Sequence, residues 1–322
     1  MHIYVENHSA HPQYAITHAQ VANSLRDIRE PFEITVGWHA TPDFAALARA
    51  DCIVAPRFRP DVIAKHATRL RLVHCLNAGL ERYLPLDWLP EGAVLTNSSG
   101  IHAVKAREYA TMALLMLNTQ IPRFIDAQRA SAWMPKFTTS IVGKTVLIVG
   151  TGSIGTAIAH AAKTLGMYVT GVSRSGERHT DFDEVVAREK LDEMLPSADF
   201  VALACPLTDE TRSLFSADRF ASFKPGASFL NMSRGAIADT GALIDALGRG
   251  HLAGAVADVF DEEPVPATSP IWQTQGLIVT PHISCDSPDG YIDAGLAIFA
   301  ANVAALLRGD MLRNQVDPSL QY

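Results

Sequence analysis

The stretch Val146-Leu-Ile-Val-Gly150-Thr-Gly152-Ser153-Ile154-Gly155 decides how this 322-residue chain is read. Four apolar residues run into a GxGxxG pattern, and a helix-forming run over 156–165 follows at once. In a strand–turn–helix of this kind the first glycine permits a tight turn and the second lets backbone approach a pyrophosphate. The third lets the helix pack against the strand. The helix then offers unpaired N–H groups and the positive end of its dipole to the phosphates. The pattern predicts a dinucleotide site in a parallel α/β domain. The competing reading, a glycine-rich turn without a ligand, is disfavoured by the strand before it and the helix after it.

Working outward, strand-like runs recur at 145–149, 168–172, 200–204, 228–232, 254–258 and 277–280. Upstream they fall at 3–5, 33–36, 52–55, 72–76 and 93–96, with helical patterns at 19–29, 44–49 and 61–66. Such alternation reads as parallel sheets covered by helices on both faces. A long helix over 102–118 stands between the two series, followed by a Trp/Pro stretch at 133–135. A second helix over 290–307, closed by Arg308-Gly309, ends the pattern. Single cores stop growing near about 250–300 residues, so two domains are expected.

Lys+Arg 27 against Asp+Glu 34 leaves a net charge of −7 with no basic run, which argues against a nucleic-acid surface. Cys52, Cys75, Cys205 and Cys285 are scattered without a CxxC pair, so no metal centre or disulfide framework is expected and a reducing compartment is. The start, MHIYVENHSAH, lacks the basic and apolar regions of a signal peptide. The apolar helical stretch 110–117 meets Asn118 well short of the roughly 20 residues of a membrane span. These features predict a soluble, cytoplasmic protein with no membrane partner.

The cofactor's identity turns on an absence. The second strand after the turn ends Gly171-Val-Ser173-Arg174-Ser175-Gly176, and the first acid is Glu177. NAD sites usually carry Asp or Glu about 20 residues beyond the turn, bonded to the ribose. A carboxylate there repels a 2′-phosphate, whereas a guanidinium grips it. The reading favours NADP(H) over NAD(H), with Ser173, Arg174 and Ser175 at the adenosine end. A lone Arg174 could equally be a solvated loop residue.

Three further segments each end or follow an expected strand: Asn231-Met-Ser-Arg234-Gly235, Asp258-Val-Phe-Asp-Glu-Glu263-Pro264 and Thr280-Pro-His282-Ile-Ser284. Ligands of open parallel sheets bind beyond the strands' carboxyl ends, so all three segments could face one crevice. Singly, Arg234 could cap a strand, Glu263 could be a solvated acid and His282 a surface histidine. Together, in this order, they resemble the D-isomer-specific 2-hydroxyacid dehydrogenase family, and in particular its glyoxylate/hydroxypyruvate reductases. The likeness extends through Cys205-Pro206-Leu-Thr208 with Thr211, Lys224-Pro-Gly226 and Asn314-Gln-Val-Asp-Pro318, and so covers nearly the whole chain.

The resemblance implies two Rossmann-like doubly wound domains. A nucleotide-binding domain, 100–286, is inserted in a flavodoxin-like substrate domain made of 1–99 and 287–322. It implies a catalytic triad of Arg234, Glu263 and His282. Cofactor contacts come from Gly150, Gly152, Ser153, Ile154, Gly155, Cys205, Pro206 and Thr211, with Asp258 near the nicotinamide carboxamide. Backbone N–H groups of Asn77, Ala78 and Gly79 face the substrate carboxylate, together with Arg234 and His282. It further implies hinge helices near 102–118 and 290–307, closure over the substrate, and a homodimer through the nucleotide domain. Trp133 then reaches a neighbouring subunit or packs within its own. This chain departs from the family at Ser173-Arg174, at Arg107 before Glu108, where Ala is usual, and at Cys285 after Ser284, where Gly is common.

The chemistry accounts for the residue types. Reducing a 2-keto acid requires hydride at C2, a proton on the keto oxygen and a fixed carboxylate. Arg234 is a permanent planar cation for the carboxylate and carbonyl. An imidazole at His282 can donate the proton and take it back in oxidation, and Glu263, if hydrogen-bonded to it, would hold it for that role. Arg57 and Phe58, after a first-domain strand, are candidates for the substrate's variable end. The resemblance leaves a second class open, a dinucleotide-sensing corepressor of the same fold, although such proteins typically carry a long disordered tail.

Overall fold

The computed structural model describes residues 1–9, 12–287 and 289–322. The chain divides into two compact units, Met1–Ile101 with Ser287–Tyr322, and His102–Asp286.

In the first unit β1 (His2–Asn7), β2 (Glu33–Trp38), β3 (Cys52–Ala55), β4 (Leu72–Cys75) and β5 (Val94–Asn97) pair in parallel in the order β2-β1-β3-β4-β5. That is the flavodoxin-like order. β1, β3 and β4 are buried along their whole length, as a parallel sheet covered on both faces requires. On one face Ile3, Val5, Val54 and Leu72 pack with Leu296, Phe299 and Val303 of helix Tyr291–Arg308. On the other, Tyr4, Ile53 and Val73 pack with Leu47 and Ile63 of helices Phe44–Arg49 and Pro60–His66. The closing segment is stitched to β5: Val316 N–H donates to the Leu95 carbonyl at 2.9 Å, and Asn314 Nδ2 to the carbonyls of Asn97 and Ser99 at 3.1 and 2.9 Å.

Among the described residues, helix Tyr291–Arg308, rather than 110–117, is the one long and apolar enough to cross a membrane by length and composition. Its apolar face is used otherwise. Leu296, Phe299 and Val303 form the core just described, and the buried Asn302 side chain exchanges two hydrogen bonds with the Arg313 backbone.

The second unit holds β6 (Thr145–Val149), β7 (Tyr168–Ser173), β8 (Glu184–Ala187), β9 (Phe200–Leu203), β10 (Ser228–Asn231), β11 (Gly254–Ala257) and β12 (Leu277–Val279). All pair in parallel, in the order β12-β11-β10-β9-β6-β7-β8. This is the dinucleotide-binding order with one strand added. Helix Ala103–Asn118 buries Ala106, Tyr109, Ala110, Ala113, Leu114 and Leu117, a stripe at three- and four-residue spacing. It packs with Ile158 and Ala162 of helix Ser153–Thr164.

The structure differs from the sequence reading at a few elements. Helix 19–29 shortens to His18–Ser24, opened by a Thr17–Gln20 capping box, because Arg26 N–H turns to Asn23 O instead of continuing the i−4 ladder. Helix Ile121–Arg129 was unexpected because Pro122 reads as a breaker; it sits in the first turn, where its missing N–H costs nothing. β8, Glu-Val-Val-Ala, is a short sheet-edge strand without a clear apolar run.

At the end of β1 the Glu6 side chain is only 1% exposed, with Arg59 Nε at 3.5 Å and His39 Nδ1 at 3.4 Å. Burial outweighs the pull of Arg59 and pushes its carboxyl up to about 7. Between its ordinary value and about 7 the folded state therefore holds more protons than the unfolded one, so stability falls as pH rises through that window. Glu6→Gln, uncharged and of the same shape, is expected to flatten this decline in the urea midpoint. The same slope in both proteins would contradict the assignment.

Candidate active site

Gly150 takes φ 105°, and a Cβ there would lie 2.6 Å from the Cys205 backbone nitrogen. A Cβ on Gly155 would lie 1.9 Å from the Gly150 carbonyl oxygen. Both glycines are required by close backbone approach within the protein. Gly152 is different: a Cβ there meets nothing within 4 Å. Gly152 is also the N-cap of helix Ser153–Thr164 and caps it with no side chain. The helix thus begins at Ser153, earlier than expected, and Ser153, Ile154 and Gly155 form its first turn. Bare backbone and an uncapped N-terminus in a twelve-residue helix fit a pyrophosphate.

The rim of this turn is built by β7 and β9. Ser173 Oγ accepts from Gly176 N–H at 2.9 Å, and Gly176, at φ 72°, packs where a Cβ would meet Ala187 N at 2.7 Å. This fixes a turn whose tip leaves Arg174 and Ser175 exposed. After β9, Thr211 Oγ1 donates to the Pro206 carbonyl at 2.7 Å and accepts from Thr208 N–H at 2.8 Å. The Ser233 hydroxyl bonds the Cys205 carbonyl. Burial pushes the Cys205 thiol up to about 12, so it serves as wall and not as nucleophile.

Arg234 follows β10, and Gly235 beside it has no side chain because the Phe260 backbone occupies that space, 1.9 Å from an added Cβ. The same loop carries Glu263. Its Oε1 accepts from Phe260 N–H at 2.9 Å, and its Oε2 lies 2.7 Å from His282 Nδ1. A carboxylate only accepts, so the proton sits on Nδ1 and Nε2 is the nitrogen turned to other partners. Both side chains remain partly open, at 46% and 35% exposure. Arg234 Nη1 donates to the Ser233 carbonyl at 2.8 Å, and its charge reaches the thiol of Cys285 on the His282 loop. Glu263 and His282 are thus in direct contact, and Gly235, next to Arg234, packs on the Phe260 backbone of the Glu263 loop.

His282 has φ 55°, a left-handed conformation that costs a non-glycine residue about 1–2 kcal/mol. The fully buried Asp258 holds it there. The Asp258 carbonyl accepts from His282 N–H at 2.8 Å, Oδ1 from Ile283 N–H at 2.9 Å and Thr280 Oγ1 at 2.5 Å, and Oδ2 from Ser284 N–H at 2.8 Å. The Asp258 carboxylate thus anchors the His282 loop, a structural role beside the nicotinamide contact that the sequence reading expects of it. Tyr109, whose hydroxyl lies 2.6 Å from Thr280 Oγ1, escaped sequence reasoning because a tyrosine on a helix's apolar stripe reads as core.

In the first unit, Asn77 Nδ2 donates to the Pro56 carbonyl at 2.9 Å, the Tyr291 hydroxyl donates to Asn77 Oδ1 at 2.8 Å, and Asn97 Nδ2 donates to the Ala78 carbonyl at 2.9 Å. The side chain of Asn77 is thereby used to shape the loop. Phe58 is a correction. It is 4% exposed and stacked on Tyr83 at 3.9 Å, a core residue and not a lining one. Arg57 is half-buried. Trp133 is 95% exposed and so packs against nothing in its own chain.

A sequence profile described as D-isomer specific 2-hydroxyacid dehydrogenase, NAD binding domain, matches residues 111–284. The chain is 30% identical over 318 residues to a glyoxylate reductase of Pyrococcus furiosus, covering 93% of this chain and 94% of that one. Among solved structures it resembles a D-isomer specific 2-hydroxyacid dehydrogenase of Xanthobacter autotrophicus in complex with NADPH and MES. The TM-score is 0.85 at 26% identity, over 99% of both chains. It also resembles an NADPH-dependent glyoxylate/hydroxypyruvate reductase of Sinorhizobium meliloti in complex with NADP and sulfate, with TM-score 0.81, 25% identity and all of both chains covered.

Gly152→Val fills space that the protein itself leaves open. The variant is expected to melt as the parent does and to bind dinucleotide at least about tenfold more weakly in a fluorescence titration. Undiminished affinity would remove this turn from the site.

Proposed function

The chain belongs to the D-isomer-specific 2-hydroxyacid dehydrogenase family, and we propose that it reduces a small 2-keto acid of the glyoxylate or hydroxypyruvate kind with NADPH, reversibly forming the D-2-hydroxy acid. The observation that carries this reading is the 2.7 Å contact between Glu263 and His282 Nδ1 at the carboxyl edge of a sheet that also carries the glycine turn. With Nδ1 committed to Glu263, Nε2 of the imidazolium donates a proton to the keto oxygen and takes it back in oxidation. Arg234 holds the carboxylate and polarises the carbonyl as negative charge develops there. A nicotinamide held at the glycine turn would supply the hydride. The first unit's Asn77-Ala78-Gly79 loop is its substrate-recognition element, and the second unit is the nucleotide-binding one.

NADPH is preferred over NADH in this reading because the β7 turn presents Arg174 with Ser173 and Ser175, and no acid, where the adenosine ribose is bound. Two of the similar structures contain NADPH or NADP. The reading includes a homodimer. Exposed Trp133 and Phe137 stand out from a segment outside any helix or strand, and Val104, Met112 and Leu115 are exposed apolar residues on helix Ala103–Asn118. A second copy of the chain would cover them, and sedimentation at twice 34.8 kDa is the check. Four free thiols, three of them buried, suit a cytoplasmic setting.

Initial rates with NADPH or NADH against glyoxylate, hydroxypyruvate and larger keto acids test the proposal. Turnover is expected with NADPH and the small acids; none with any acid would favour a dinucleotide-sensing protein. Arg174→Asp is expected to lower kcat/KM for NADPH at least about tenfold more than for NADH, from the loss of a charge-assisted contact and the gain of repulsion. Equal losses would clear Arg174 of the role. His282→Ala is expected to reduce kcat by about 10²–10⁴ while NADPH still binds.

A further inference from the structure

Resting on that reading of the site, we infer that Tyr109 and Thr280 are positioning residues for His282, acting through the carboxylate of Asp258. The hydrogen-bond inventory sets the direction of the chain. Asp258 Oδ1 can only accept, so the single proton of Thr280 Oγ1 goes to it over 2.5 Å. Thr280 Oγ1 then has only lone pairs to offer Tyr109, and the Tyr109 hydroxyl is the donor over 2.6 Å. Burial pushes the Tyr109 phenol up to about 12, so it keeps that proton at any working pH.

What the chain holds is the segment bearing the acid–base group. Asp258 gathers the N–H groups of Ile283 and Ser284 on its two oxygens and that of His282 on its carbonyl. These bonds enforce the left-handed backbone at His282. On the far side, His102 Nδ1 meets the Cys285 carbonyl at 3.1 Å. Tyr109 roots the assembly in a rigid place, since helix Ala103–Asn118 is packed against the helix of the glycine turn. One phenol therefore connects the helix packing behind the cofactor turn to the loop that aims the imidazole at its substrate. Relaxation of the loop would swing His282 away from the geometry in which Glu263 holds Nδ1, and proton transfer is sensitive to displacements well below an ångström.

The test uses Tyr109→Phe, Thr280→Val and Thr280→Ser in the full chain, with two readouts. Hydrogen–deuterium exchange of the peptide spanning 280–286 is expected to quicken in the Phe and Val variants and to remain at the parent's rate in the Ser variant, which restores the hydroxyl. In the reductase assay the Phe and Val variants are expected to lose about tenfold in kcat, with KM and the NADPH dissociation constant within about twofold of the parent's, and Ser to recover most of the loss. Unchanged exchange in both Phe and Val overturns the inference whatever the kinetics. Faster exchange with undiminished kcat overturns it as well, for the loop would then move without consequence. A parent protein that turns over no keto acid, with the exchange pattern as expected, defeats the proposed reaction and leaves the clamp standing.

Discussion

A parallel sheet obliges every strand to finish at the same edge, and the rest of this protein depends on that constraint. Because β6, β7, β9, β10, β11 and β12 all run one way, six unrelated turns are delivered to one rim. In the proposed reading four of these turns divide the chemistry: bare backbone for phosphate, a guanidinium for the adenosine end, a carboxylate and an imidazole for proton transfer. Residues separated by dozens of positions in sequence need no long-range design beyond strand direction to become neighbours. The price is backbone conformation. Gly150, Gly176 and Gly235 lack side chains because the turns crowd together, and His282 adopts a left-handed conformation although it has one.

Much of this was legible in the sequence. Apolar runs bounded by turn residues located eleven of the twelve strands to within about three residues at either end, because strands buried on both faces must be apolar throughout. The glycine spacing announced the turn, and chain order brought Arg234, Glu263 and His282 into view as a set. The missing acid after β7 pointed to the cofactor's phosphate, since charge at one known position is a readable quantity. Thr17-x-x-Gln20 carries the spacing of a capping box, and the structure forms one there.

What was not legible depends on which partner a side chain finds in space. Nothing in the spacing shows that the oxygens of Asp258 are engaged by three consecutive residues of the His282 loop and by Thr280. Phe58 reads as a lining residue from its place after a strand, yet an aromatic beside Tyr83 and Trp88 gains more by stacking. Glu6 follows Ile3, Tyr4 and Val5 in β1 and is buried with them although it is an acid. In each case composition and spacing allow two outcomes, and packing chooses one.

The seam at β5 has a vectorial consequence. The first unit borrows helix Tyr291–Arg308 and the Asn314–Val316 stitch from residues that follow the second unit in sequence, so its core stays incomplete while the ribosome works through the intervening residues. The second unit is continuous and can fold as soon as it emerges. Residues 1–101 therefore wait for partners that are made only after the second unit. A nascent chain halted near residue 290 would carry a protease-resistant His102–Asp286 segment and a protease-sensitive amino-terminal one.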